Sequence, residues 1–229
     1  MNAIASQVRQ IPPLLRGDTE CIDRWLQRRE PARAALYVAV VVAGAGLYGL
    51  AMGSWRAPEQ AVFTALKLPL VVLLTTLGNA LLNGLLAPLL GLNLSFRQTS
   101  FAILMSFAIA ATILGAFSPL VWFLVWNTPA TSAYSFTLVI QVLVIAYAGI
   151  MANLRLAQLL EHHSGSRRVA RRVLCAWLAG NLFLGSQLSW ILRPFIGSPD
   201  LPVEFLRTDA FRGNFYEAVF FAIRHLFSS

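Results

Sequence analysis

Polar positions thin out after residue 33, and the chain then becomes a series of long apolar runs parted by short polar connections. Between Lys67 and Arg155 lie 87 residues, of which Arg97 alone is charged. A helix rises about 1.5 Å per residue, so about 20 mostly apolar residues cross a hydrocarbon core of about 30 Å. Five runs have that length: residues 34–53, 68–90, 99–117 with a continuation past Pro119 to 126, 133–154 and 173–192. The pattern predicts an all-α fold, a polytopic transmembrane helical bundle of about five spans. It is preceded by a basic cytoplasmic segment, 1–33, and followed by an outer-face segment, 193–229.

Both flanks read as short amphipathic helices. Residues 19–30 place Ile22, Trp25, Leu26 and Arg29 at helical spacing with Arg24 and Arg28 on another face, the pattern of a helix lying on an anionic leaflet. At the other end, Asn214 and Glu217 have capping-box spacing ahead of the apolar run Phe215–Phe227. As a helix that run is only about 20 Å long, which predicts an in-plane element rather than a sixth span. Between it and the fifth run, Arg193–Pro202 carries three prolines and a glycine, predicting turns and extended backbone.

Composition excludes a water-soluble domain. Hydrophobic residues make up 57% of the chain and charged residues 12%, against about 25% in ordinary soluble domains, and mean hydropathy is +0.65. Two cysteines far apart, Cys21 and Cys175, make no disulfide framework. The net charge is +8, yet the basic residues concentrate in two blocks that flank apolar runs, 9–33 and 155–172, without any nucleic-acid-binding signature. They read as topology signals, and no nucleic-acid partner is expected.

Six Lys or Arg precede the first run, one lies between the second and third, and five lie in 155–172; the alternate connections and the C-terminus hold two, none and four. The positive-inside rule therefore puts the N-terminus in the cytoplasm and the C-terminus outside, and the Arg-rich basic usage without eukaryotic sorting signals points to a bacterial inner membrane. Trp55, Trp122, Trp126 and Trp190 then fall at outer ends and Trp177 at an inner one, as aromatic belts require. The 33 residues before the first run include Asp18, Glu20, Asp23 and Glu30, which marks that run as an anchor rather than a cleavable leader.

No carboxylate falls within the five runs, which disfavours a carboxylate-coupled transporter. The intramembrane chemistry is amide and hydroxyl. Thr75, Asn79 and Asn83 recur every four residues and share a face, which Gln141, Asn153, Asn181 and Gln187 are placed to approach. Such groups either join helices or line a hydrated pathway, and spacing alone leaves both open. Small residues at intervals of four, Ala45, Gly49 and Gly53 in the first run and Ala176 and Gly180 in the fifth, mark packing seams. Arg24, Arg28 and Arg29, with Arg167, Arg168, Arg171 and Arg172, are the expected contacts to the anionic inner leaflet. His162 and His163 lack the partners of a metal site, and no nucleophile stands at a recognisable distance from a base. No catalytic residue, metal or cofactor is predicted.

Lys67-Leu68-Pro69-Leu70 opening the second run, Asn83-Gly84 near its end, the connection Gly91-Leu92-Asn93-Leu94-Ser95 and the long third run after Arg97-Gln98 resemble bacterial relatives of the Yip family of five-span membrane proteins, over about residues 60–157. The acidic-aromatic Gly-Pro motif of the eukaryotic members is missing, so the resemblance implies topology rather than GTPase binding. The expected function is a non-catalytic scaffold or accessory subunit of a membrane complex. Its expected partners are the bilayer and other membrane subunits, or itself as a homo-oligomer. The alternative is an oligomeric channel or carrier for a neutral or anionic small solute.

Overall fold

Proline opens the first two helices, where a missing N–H costs nothing and its fixed φ is already helical. In a computed structural model, which describes residues 31–128, 133–217 and 224, the chain forms α1 (Pro31–Gly53), α2 (Pro58–Leu89), α3 (Phe96–Asn127), α4 (Ala133–Ser164) and α5 (Arg167–Ile191). No strand occurs among the described residues. The amphipathic helix expected over 19–30, with Arg24, Arg28 and Arg29, lies outside them, as does most of the one expected over 215–227. Of the latter's predicted cap, Glu217 N donates to Asn214 Oδ1 at 2.9 Å.

Among the described residues four helices are long and apolar enough to cross a membrane: Pro31–Gly53, Pro58–Leu89, Phe96–Asn127 and Phe136–Ser164. α5 has 25 residues but carries four arginines in its first six, and does not reach that measure. The helices outrun the predicted spans. α2 begins ten residues before Leu68, which puts Lys67 inside a helix and not in a connection. α4 continues to Ser164 and α5 begins at Arg167, so the loop expected around His162–Arg172 shrinks to Gly165 and Ser166. Gly165, at φ +60°, makes the left-handed helix end that a side chain disfavours. Ser95 and Gln98 cap α3 reciprocally. Pro69, Pro88 and Pro119 sit within α2 and α3 without ending them, as membrane helices tolerate when neighbours cover the freed backbone.

α1 packs between α2 and α3, α3 also meets α4, and α5 packs on α2 and α4. The predicted seam of α1 is an α1–α2 seam: a Cβ on Gly49 would lie 2.5 Å from the Thr64 carbonyl oxygen, one on Gly53 would lie 2.6 Å from that of Gln60, and Ala45 is fully buried. The closest approach was not among the predicted positions. At Gly44 a Cβ would stand 2.1 Å from the Ala111 carbonyl oxygen, so α1 and α3 touch backbone to backbone. Trp177, expected at the membrane surface, is instead fully buried in the core with Val173 and Leu156. Facing outward, Leu66, Leu70, Leu74, Leu77, Leu81 and Leu85 make an exposed stripe along α2, a surface suited to hydrocarbon.

Candidate functional site

Three of the side chains predicted to form a polar face, Asn79, Asn83 and Asn181, come together at the α2–α5 contact. Asn83 Nδ2 donates to Asn79 Oδ1, and Asn79 Nδ2 donates to Asn181 Oδ1. Asn79 and Asn83 are on one face because a four-residue step is little more than one turn, and α5 comes close enough because Gly180 has no Cβ: one there would lie 2.6 Å from Asn79 Oδ1. Ala176, one turn earlier on α5, packs at the edge of the core. The relay is not fully closed, since Asn83 Oδ1 is buried without a partner.

One turn before Asn79, Thr75 leads away from the relay. It is buried, its hydroxyl has no partner, and it lines a cavity of about 340 Å³ with Asn153, Asn181, Ser186 and Ser189. Asn153, from α4, spends its amide N–H on the Gly149 carbonyl at 2.7 Å. Two other predicted members stand apart. Gln141 accepts a hydrogen bond from the Tyr48 hydroxyl of α1 and not from the amides of α2, and Gln187 is half-buried outside the relay. Helical spacing placed each on its own helix, but the rotation of α4 and α5 about their axes decides what each one meets.

A second polar cluster was not anticipated. After α5 the chain turns back as a strap, residues 193–202, and the α1–α2 turn and the start of α2 grip its carbonyl oxygens one after another. Lys67 Nζ donates to Pro194 O at 2.8 Å, Gln60 Nε2 to Phe195 O at 2.8 Å, Thr64 Oγ1 to Phe195 O at 2.6 Å, Trp55 Nε1 to Ile196 O at 2.8 Å and Arg56 Nε to Ser198 O at 3.0 Å. A strap of three prolines and irregular backbone has few internal partners for its carbonyls, and buried carbonyls need them. Gln60, Thr64 and Lys67 are fully buried. Lys67 therefore does not snorkel as a residue at a span end would; its ammonium lies 4.9 Å from the centre of the Phe205 ring. The available signal was the spacing of Gln60, Thr64 and Lys67 at intervals of four and three, which puts three polar groups on one face of an otherwise apolar helix.

No protein family, curated protein or solved structure matches this chain. Its chemistry must therefore be read from its own residues.

At the opposite end of the bundle Arg167, Arg168, Arg171 and Arg172 are all exposed on the first turns of α5. Arg167 meets Glu161 of α4 at 3.6 Å, and the other three make no ion pair among the described residues. A cavity of about 450 Å³ lies among Glu161, Arg167, Arg168 and Arg171.

Proposed function

We propose that this protein is a multi-pass inner-membrane scaffold or accessory subunit, without catalytic activity, that crosses the bilayer five times with its N-terminus in the cytoplasm and its C-terminus outside. α5 supplies the fifth crossing. Beyond its arginines, Val173–Ile191 amounts to 19 residues, about 28 Å of helix, close to the hydrocarbon thickness. The likeness of residues 60–157 to the Yip family is consistent with this path.

The observation that carries the reading is the charge at the α4–α5 turn. Four exposed arginines crowd the N-terminal end of α5, where the helix dipole is already positive and cations are disfavoured. Among the described residues only Arg167 has a carboxylate partner. An anionic leaflet at that level relieves the repulsion and contributes about 1 kcal/mol per basic residue. The turn thus anchors the inner end and presents a basic face beside membrane subunits.

Nanodiscs test the anchor. The wild-type protein is expected to melt at a higher temperature in bilayers containing phosphatidylglycerol than in phosphatidylcholine alone, and R168Q/R171Q/R172Q should abolish the difference. Equal melting of the wild type in both lipids refutes it. The cavity at Thr75 favours a second reading, a carrier for a neutral or anionic small solute, and selective flux into proteoliposomes would replace the scaffold with it.

A further inference from the structure

A third cavity, of about 210 Å³, lies beneath the strap between α4 and α5, walled by Met52, Leu68, Val142 and Ile145 and roofed by Phe195 and Ile196. Two polar side chains reach it, Gln141 and Ser189. Gln141 is 2% exposed and lines the cavity; its carbonyl oxygen is taken by Tyr48, and among the described residues its Nε2 has no partner. In a hydrocarbon-walled site an unpaired amide N–H is costly, so an acceptor that enters there is bound.

The surroundings specify that acceptor. No charged side chain lines the cavity, which selects an uncharged oxygen. The strap, gripped by Gln60, Thr64 and Lys67, closes the end nearest water. Toward the bilayer the rim is exposed, with Leu138, Val142 and Ile145 at 39%, 59% and 42%. The occupant therefore arrives sideways from the lipid. A volume of 210 Å³ takes roughly seven groups of water size at about 30 Å³ each, enough for a carbonyl and a short length of chain. Ser189 lines both this cavity and the 340 Å³ one below it, so the chain has somewhere to continue.

We propose that the furrow between α4 and α5 binds the acyl chain of a bilayer lipid, with Gln141 Nε2 donating to the ester carbonyl oxygen and the chain running past Ser189 toward Thr75. The site stands independently of the scaffold reading, which does not use Gln141, and it competes with the carrier reading for the cavity at Thr75.

Native mass spectrometry of the full chain released from dodecyl maltoside micelles tests it, with monoolein as the uncharged ester and 1-oleyl glycerol ether as its counterpart without the carbonyl. The wild type is expected to retain one monoolein per chain and to hold the ether about tenfold more weakly, the loss of one buried hydrogen bond. Q141L should weaken monoolein about tenfold and hold ester and ether equally. Because Q141L also deprives Tyr48 of its acceptor, V142W provides a second variant: on the exposed rim it fills the mouth, and it should abolish retention of both lipids without lowering the melting temperature. The proposal is overturned if the wild type retains ester and ether alike, if monoolein stays at the micelle background, or if V142W retains it as the wild type does.

Discussion

Lys67, the chain's only lysine, donates its ammonium to the carbonyl oxygen of Pro194 across 2.8 Å, joining positions 127 residues apart. No carboxylate lies within ion-pair distance of it among the described residues, and its remaining neighbours include the rings of Phe195 and Phe205. A buried ammonium held only by a carbonyl and aromatic faces is an expensive way to build a core. What it does is hold an irregular segment against a helix, with Thr64 and Gln60 completing the grip about one and two turns earlier.

Removing that grip should free the strap. In K67M the Pro194 carbonyl loses its charged donor while the side-chain volume is nearly kept. Chymotrypsin cleavage after Phe195 or Phe205, followed in detergent, is expected to accelerate about tenfold, in line with the roughly 1.5–3 kcal/mol of a charged hydrogen bond. An unchanged rate would mean that the other donors hold the strap alone.

Close helix approach predicts a contrast between two glycines. At Gly44 a methyl group would stand 2.1 Å from backbone oxygen, whereas at Gly149 nothing lies within 4 Å. G44A should therefore lose about 1–3 kcal/mol, read as a lower melting temperature, because α1 and α3 must separate. G149A should be neutral or gain up to about 1 kcal/mol from helix propensity.

The amide relay predicts an order of effects. Asn79 takes part in both of its hydrogen bonds and Asn83 in only one. N79L is expected to destabilise more than N83L, at about 0.6–1.7 kcal/mol for each bond lost within a membrane. Asn79 Nδ2 also reaches the Trp177 carbonyl at 3.4 Å; thermal melts of both variants in the same detergent check the order, and equal losses would show that neither Asn181 nor that carbonyl contributes.

An odd number of crossings places the two chain ends on opposite sides. Alkaline phosphatase fused after Ser229 is expected to be active and green fluorescent protein at the same place dark. The reverse result would remove α5 from the membrane or add a crossing beyond it.

The helices were legible in the sequence because a long apolar run has only one inexpensive form in hydrocarbon, with every backbone group bonded within the segment. Their ends were less so. The arginines that read as a loop are helical at Arg167–Arg172, since side-chain polarity marks the membrane boundary and not the end of a helix. Asn79, Asn83 and Asn181 were found by spacing, and they meet as expected. Gln141 was found too, but its partner Tyr48 lies 93 residues away on α1, a relationship that no local period carries.

Residue order by itself determined the all-helical architecture, the four strongly apolar segments and which polar groups share a face, because each depends on periods of a few residues and on the cost of exposing backbone to lipid. Only the folded bundle decided which faces meet: that Gly44 lies on Ala111, that Trp177 is buried, and that Lys67 closes on Pro194. Those pairings depend on how each helix is rotated and how closely it can approach its neighbour, which side-chain packing along the whole contact sets at once.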